Sequence, residues 1–549
     1  MDFKKEIIRI LSREIKGVKI NLESPKNPEF GDYSFPCFGL AEKFRENPIG
    51  IAKRIAALLK KPGSIERIEA KGPYINFFIN KESLVKNVLG KILKEKESYG
   101  DLKTNKRLII EHTSINPNAS PHVGRARNAL IGDALVRIHR FLGYKVRVKY
   151  WVNDVGKQVA MLVYGSKGKK VNFDDLLKIY VRISKRVEID KNLEKKIFKL
   201  INSLESGNKE TINLFKKTVG LCLRGQLKIL NGLGIRYDEF DYESKYLRNK
   251  QLNGMLKKLE ESGRLFTDEE GRKVLDQKEF NFAMKSPVLV LTRADGTSLY
   301  PLRDIAYTIG KVKEGENIIV LGEDQKLYFE QIAAALKILG YKTPKAVHYS
   351  FVLLADGKMS TRKGNVVLLE DFMKEAVNKA NKEIVKRYNK KDDKLAKVIG
   401  YGAIKYGILK VSNEKNVIFD WAKALDFEGE TGPYLQYSYA RASSILRKVK
   451  NGLKKIDFSL LNTKEEINLI SKLEKFPEVV LKAKESLEPH LVANYAFELA
   501  KTFNEFYHVC KCIGVEKDLQ NARLGLVTAF RYVIKNSLNL LGIQVSERM

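Results

Sequence analysis

Arg107-Leu108-Ile109-Ile110-Glu111 runs through a short loop into Asn116-Pro117-Asn118-Ala119-Ser120-Pro121-His122-Val123-Gly124-Arg125, and the reading of this stretch decides the fold. The first five residues read as a buried strand, and the loop from Thr113 to Gly124 carries Pro117 and Pro121. Leu130, Ile131, Ala134, Leu135, Ile138 and Leu142 then recur on one helical face, and Val146, Val148 and Tyr150 alternate along a second strand, Tyr144 to Tyr150. Strand, helix and strand make one βαβ unit of a mononucleotide-binding sheet. In that context the loop has a chemistry. Gly124 lets a nucleotide approach the backbone, the helix N-terminus offers unpaired N–H groups to phosphate, and His122 can donate to phosphoryl oxygens as charge develops. A His before a Gly at a helix start also serves as an ordinary cap or turn, and this segment alone supports both readings equally.

Outward from that unit the chain divides. Residues 1–82 form a compact first unit: an amphipathic opening helix, a Gly/Pro-marked loop, a helix near Ile49 to Leu59, and the aromatic strand Gly72-Pro73-Tyr74-Ile75-Asn76-Phe77-Phe78. Residues 83–104 are a basic helical linker. The α/β part spans 105–370, interrupted by a Lys-rich helical insertion at about 157–231. Strand signals return at Pro287 to Arg293, Asn317 to Leu321 and Ala346 to Leu354, so one parallel sheet is expected to be built from two halves split by the insertion. Beyond about Phe372 no strand pattern is read, and 371–549 is expected to be all-α.

Composition limits what such a chain does. Its 549 residues suffice for roughly three to four domains. With 100 Lys plus Arg against 66 Asp plus Glu, the net charge of +34 favours a polyanionic partner, nucleic acid first; a generally basic proteome is the competing source. Four cysteines exclude a disulfide scaffold and fit a reducing compartment. Cys510, Cys512 and His508 lack a second ligand pair, so no metal site is expected. The charged N-terminal helix is unlike a signal peptide, and no uncharged apolar run reaches membrane-spanning length, so a cytoplasmic protein that does not engage a membrane is expected.

A second loop lies far downstream: Gly357-Lys358-Met359-Ser360-Thr361-Arg362-Lys363-Gly364. Two glycines bracket three cations and two hydroxyls, as a mobile clamp on a triphosphate requires. A solvated turn has the same composition. Both loops follow strands, however, and would meet at the carboxyl edge of one sheet.

A His-x-Gly motif and a Lys-Met-Ser motif on a split Rossmann-like sheet, followed by an α-helical domain, resemble a class I aminoacyl-tRNA synthetase, and the chain is similar over nearly its whole length to the arginyl-tRNA synthetases, of an archaeal-like kind. The resemblance rests on Phe30-Gly31-Asp32-Tyr33, on Gly72 to Phe78, and on Val152-Asn153-Asp154-Val155-Gly156-Lys157-Gln158. It rests also on Asp295-Gly296-Thr297-Ser298-Leu299-Tyr300-Pro301-Leu302-Arg303-Asp304, on Phe427 to Tyr437, and on the ending Glu547-Arg548-Met549. The family resemblance implies a small α/β N-terminal domain for the tRNA elbow, a catalytic domain with a helical insertion, and an α-helical anticodon-binding domain. It implies ligation of L-arginine to tRNA(Arg) by way of arginyl-adenylate, with ATP and Mg²⁺ as the substrate complex, no tightly bound cofactor, activation that depends on tRNA, and a monomer. An RNA-binding paralogue of impaired catalysis and a cysteinyl-type synthetase are the alternatives.

Site residues carry over position by position. Glu111, Asn116, Arg125, Tyr300, Asp304 and Gln325 would bind arginine, the carboxylates meeting the guanidinium. His122, Gly124, Lys358, Met359 and Ser360 would bind ATP, with Arg125, Arg362 and Lys363 joining His122, Gly124, Lys358 and Ser360 in catalysis. Gly72, Tyr74 and Asn76 would touch the tRNA elbow, Tyr434 and Tyr437 the anticodon loop, and the basic stretch Arg441 to Lys455 the phosphates. Without the resemblance, Glu111 reads as a loop cap, Asp304 as a partner of Arg303, and the tyrosine pair as core. Three positions depart from the family pattern. The signature's second His is Arg125, its second Lys is Thr361, and the position where a compensating Lys usually stands is Ala119. Lys363 or Arg362, with Arg125, is expected to restore the missing charge.

Overall fold

The computed structural model describes residues 3–549 apart from 24, 26, 250, 355–366 and 450–455. The chain opens with α1 (Phe3–Glu14), which buries Phe3, Ile7, Ile10 and Leu11 on one face. After β1 (Tyr33–Pro36) and the single turn α2 (Ala41–Phe44) comes α3 (Pro48–Leu58), started by Asn47, whose side chain accepts from the Ile49 N–H, and by Pro48. β2 (Ile65–Lys71) and β3 (Tyr74–Ile79) pair as a hairpin turned at Gly72, φ +57°. β1 joins the other edge of β3, giving an antiparallel sheet of order β1-β3-β2. α4 (Lys81–Glu95), capped by Asn80, leads out.

Next come β4 (Arg107–Glu111), α5 (Val123–Phe141) and β5 (Lys145–Val152). Four helices follow: α6 (Lys157–Ser166), α7 (Asp175–Ile189), α8 (Lys191–Glu205) and α9 (Lys209–Gly232). Then β6 (Glu239–Tyr242), α10 (Gln251–Glu261), β7 (Leu265–Thr267), β8 (Lys273–Asp276) and β9 (Val288–Val290) precede α11 (Tyr300–Glu314). β10 (Glu316–Gly322), α12 (Lys326–Ile338), β11 (Lys345–Tyr349) and β12 (Val352–Leu354) complete this part.

The main sheet is five-stranded and parallel, in the order β11-β10-β4-β5-β6. Its first strand, β4, lies in the middle; the chain adds β5 and β6 outward on one side, then crosses to add β10 and β11 on the other. The connections leaving β4 and β10 therefore diverge, which opens a crevice at their carboxyl ends. Side chains alternate across the sheet: Tyr150 and Val152 pack into a cluster with α6 to α9, while Trp151 points into the cluster beneath α10, α11 and α12.

Two strand expectations change. Val288–Val290 is not in the parallel sheet but pairs antiparallel with β8, in a three-stranded sheet β7-β8-β9. The chain beyond Phe372 is not free of strands either: β13 (Val417–Phe419) pairs parallel with β12. The second loop thus leaves from this two-stranded ribbon and not from the main sheet.

The rest is helical: α13 (Leu369–Tyr388), α14 (Asp393–Leu409), α15 (Trp421–Ala424), α16 (Gly432–Arg447), α17 (Lys464–Glu474), α18 (Phe476–Ser486), α19 (His490–Val509) and α20 (Lys517–Leu540). Long helices suit this end, because α16, α19 and α20 bury their largely apolar faces against one another, and α20 also packs on α5. The same core reaches α1 and β3, and Tyr33 donates to Glu474 across the junction at 2.7 Å. No described helix is long and apolar enough to cross a membrane.

Candidate active site

Between β4 and α5 the backbone takes an unusual path. Thr113 (φ +81°) and Ser114 (φ +44°) both lie in the left-handed region, which a β-branched residue rarely enters. Side chains from several elements hold it there. The Thr113 N–H donates to the Asn128 side chain, Tyr237 donates to the Thr113 hydroxyl at 2.7 Å, and the Ile115 N–H donates to the Tyr150 hydroxyl at 3.0 Å. The far end of the loop is stitched to the residues after the second loop: the Val123 N–H donates to the Val367 carbonyl and the Leu369 N–H to the Pro121 carbonyl.

His122 is the residue before α5, in extended conformation, and makes no side-chain cap bond. Burial, reinforced by the charge of Arg125, pushes its imidazole down to about 4, so at neutral pH it is an uncharged hydrogen-bond donor. Gly124 leaves little room for a side chain: a Cβ there would stand 3.0 Å from the His122 ring, which would have to shift. His122 and Gly124 thus form a small cradle at the start of α5, whose Val123 and Arg125 N–H groups are bonded to the Val367 and His122 carbonyls. Lys358, Met359, Ser360, Thr361, Arg362 and Lys363 lie outside the described residues, as do Lys450, Lys454 and Lys455.

Beside the cradle is a cavity of about 140 Å³, lined by Glu111, Asp304, Gln325 and Tyr328 among others. Space of that order admits a benzene-sized group. Trp151 and Tyr307 stack along its wall, ring centroids 4.1 Å apart. Asp304 accepts from the Tyr328 hydroxyl. Burial, with Glu243 and Glu111 adding repulsion, pushes the Asp304 carboxyl up to about 7. Its chain neighbour Arg303 turns the other way, to Glu243 at 2.8 Å and to Ser298, so an Arg303–Asp304 pair is not the explanation of Asp304. Glu111 is held by buried Lys311, which sequence reading missed because its partner is 200 residues away. Of the two expected carboxylates, then, Asp304 is the one without an internal cation bonded to it.

Other expected residues divide between the cavity and its rim. Arg125 lines the cavity and interacts with the Tyr349 hydroxyl. Asn116 is on the rim, accepting from Asn153 at 2.8 Å and donating to Gln158 at 3.1 Å. Tyr300 is half-exposed, its ring 5.3 Å from that of Tyr328. Asp154, which the resemblance would set at the second strand's end of the pocket, is away from the cavity, accepting from the Ser244 N–H at 2.8 Å.

Two more distant surfaces carry aromatic rings beside cations. In the N-terminal unit Tyr74 meets exposed Phe38 edge-on at 5.6 Å, and Lys71 lies 4.5 Å over Phe30, around the turn at Gly72. Asn76 is 2% exposed and its side chain accepts from Ser34, so it faces inward. At the other end an open cleft of about 830 Å³ is lined by Tyr388, Tyr437, Tyr507, Arg441 and Lys511, with Met549 at its edge. Arg441 lies between two rings, 4.8 Å from Tyr437 and 4.9 Å from Tyr507. Tyr434 is outside the cleft, accepting from Asn504 at 2.8 Å. Cys510 and Cys512 are buried free thiols in the cleft wall, Cys512 pushed up to about 12 by burial.

Three family models match the chain: "tRNA synthetases class I (R), catalytic domain" over residues 88–421, "DALR anticodon binding domain" over 435–549, and "Arginyl tRNA synthetase N terminal domain" over 2–79. The chain is 39% identical to the arginine–tRNA ligase of Methanocaldococcus jannaschii, covering 100% of both, and 40% identical to that of Methanocella arvoryzae, over 93% of this chain and 92% of the relative. Among solved structures it is similar to Thermus thermophilus arginyl-tRNA synthetase, with a TM-score of 0.86 and 28% identity over 100% of this chain and 99% of that one.

Proposed function

The chain belongs to the arginyl-tRNA synthetases, and on that premise we propose how its residues divide the work of joining L-arginine to tRNA(Arg) at the expense of ATP. The reading rests above all on one observation, the buried carboxyl of Asp304 in a small cavity beside the His122 cradle. A guanidinium entering the cavity supplies the counter-charge that Asp304 lacks and draws it into the ionised form. Glu111, already neutralised by Lys311, offers hydrogen-bond acceptors, and the Trp151–Tyr307 stack packs along the methylenes. Citrulline has the shape but not the charge, and lysine the charge but not the planar fork, so both leave the pocket unsatisfied.

Asn116, Gln325 and Tyr300 at the rim orient the α-amino and carboxylate groups. Arg125, close to the Tyr349 hydroxyl, draws the substrate carboxylate towards the cradle instead of repelling the guanidinium. A carboxylate oxygen attacks the α-phosphorus of ATP and pyrophosphate leaves. His122 donates to the phosphate oxygens and the α5 N-terminus faces them with its dipole, while Lys358, Met359 and Ser360, with Arg362 and Lys363 in place of the family's missing lysines, would hold the triphosphate of the Mg²⁺–ATP substrate. The terminal ribose hydroxyl of the tRNA then attacks the arginyl carbonyl, and AMP leaves.

For the tRNA, Tyr74 and the Gly72 turn receive the elbow, with Phe38 as an additional stacking ring and Asn76 supporting from below. Tyr437, Arg441 and Tyr507 receive unstacked anticodon-loop bases, and Tyr434 fixes Asn504 behind them. In this reading residues 1–82 are the elbow domain, 83–104 the linker, 105–370 the catalytic domain with its insertion at 157–231, and 371–549 the anticodon domain, in a cytoplasmic monomer that activates arginine only with tRNA bound. Pyrophosphate exchange run with each amino acid, with and without tRNA, tests it. Exchange that requires arginine and tRNA together is expected; exchange with cysteine, or none with any amino acid, would replace it by the cysteinyl-type or the impaired-paralogue reading.

A further inference from the structure

Gln226 stands on α9, in the helical insertion, and is fully buried. On the same face of α9 lie Cys222, Leu223, Ile229 and Leu230, all buried and apolar, so an amide here interrupts a hydrophobic stripe. Burying it without partners would be costly. Both of its donor bonds go to one place: Nε2 donates to the Asn116 carbonyl at 3.0 Å and to the Ala119 carbonyl at 2.8 Å. Its own carbonyl oxygen has no hydrogen-bond partner. The amide is therefore spent on the loop between β4 and α5, not on α9.

That loop needs holding. It departs from Thr113 and Ser114 in left-handed conformations and ends at His122. Tyr237, Asn128 and Tyr150 fix Thr113 and Ile115. The middle, Asn116 to Ala119, carries Asn116 at the rim of the amino-acid cavity, and Gln226 bridges the two carbonyls that bracket it. Cys222, one turn earlier on α9, reaches the Ala119 carbonyl as well, at 3.8 Å from sulfur.

We propose that Gln226 is a positioning residue for arginine activation: by bridging the Asn116 and Ala119 carbonyls it sets where the Asn116 side chain and His122 stand, and it makes the insertion part of the catalytic apparatus. It touches the loop, not the substrate. The proposal rests on the functional reading above, which places Asn116 against arginine and His122 against ATP.

Two variants of the full-length enzyme test it. Gln226→Leu keeps the volume and removes both bonds. Its kcat/KM for arginine is expected to fall by about tenfold or more, because sub-ångström misplacement of reacting groups is costly, while its dissociation constant for tRNA and its cooperative thermal transition stay near those of the unsubstituted enzyme. Gln226→Glu places a carboxyl against two carbonyl oxygens: ionised it repels both, protonated it donates to one. Its activity relative to the unsubstituted enzyme at the same pH is expected to rise as pH is lowered from about 8 to about 6, a response that loss of packing alone would not give. Unchanged arginine kinetics in Gln226→Leu would overturn the proposal. So would equal losses of arginine and tRNA affinity, or a flat relative pH profile in Gln226→Glu, which decides the matter if the leucine variant fails to fold. If the unsubstituted enzyme does not charge tRNA with arginine, the parent reading fails and this proposal with it, an outcome seen before any variant is made.

Discussion

The amino-acid cavity and the C-terminal cleft are opposites. The cavity is small and more enclosed, about 140 Å³, and sets the carboxyls Glu111 and Asp304 among its polar groups; the cleft is open, about 830 Å³, and its polar groups are mainly cations set among aromatic rings. A chain of net charge +34 has kept acids where its reading requires a cationic substrate and cations where it requires a polyanion. Burial sets the energy scale of each. In the more enclosed cavity one charge weighs heavily in binding, because burial weakens its screening by solvent. In the wet cleft each contact is modest, salt-sensitive and replaceable, and affinity comes from several acting together. Specificity for the small substrate is therefore concentrated in one or two residues, and affinity for the large one is distributed.

The strongest way to break that contrast is Asp304→Asn. Removing the one of the two described pocket carboxyls that has no bonded internal cation should lower kcat/KM for arginine by about 10³-fold, with tRNA affinity unchanged, in arginine- and tRNA-dependent pyrophosphate exchange. His122→Ala should lower kcat by about 10²-fold with a smaller change in the arginine KM, since an uncharged donor aimed at phosphate acts mainly as charge develops; single-turnover kinetics separate the two. The cavity should also have a pH signature. Asp304, raised to about 7, is protonated below that pH in the empty enzyme, and a neutral carboxyl does not hold a guanidinium. Thus kcat/KM for arginine should fall about tenfold per unit as pH drops below about 7, and Asp304→Asn should flatten that limb. Smallest is Arg441→Ala in the cleft. Loss of a cation between two rings should weaken tRNA binding by about tenfold and reduce the salt slope by about one, leaving the arginine KM unchanged.

The sequence was most legible where local pattern and motif coincide. The strand, loop and helix from Arg107 to Leu142 stand as read, because periodicity changes from buried run to helical face within one continuous segment. Val288–Val290 was misplaced because three apolar residues look the same in a parallel and an antiparallel sheet. Val417–Phe419 was missed because so short a strand exists only by pairing with β12, more than sixty residues earlier. At the site, residue types were legible and pairings were not. Arg303 and Asp304 are neighbours in sequence but successive residues of a helix, about 100° apart, so one faces Glu243 and the other Tyr328. Lys311 joins Glu111 only once α11 is laid across β4. Gln226 did leave a trace, a single amide on a largely apolar helical stripe, which is a reason to look for a polar partner outside the helix.

The claim on which the rest depends is that a buried carboxyl selects arginine by its charge. Citrulline is arginine with that charge removed and the shape kept, so the ratio of kcat/KM for arginine over citrulline, compared between the unsubstituted enzyme and Asp304→Asn, tests it directly. The ratio should be large in the former, on the order of 10³ or more, and should collapse towards unity in the latter. A preference for arginine that survives Asp304→Asn undiminished would contradict the account.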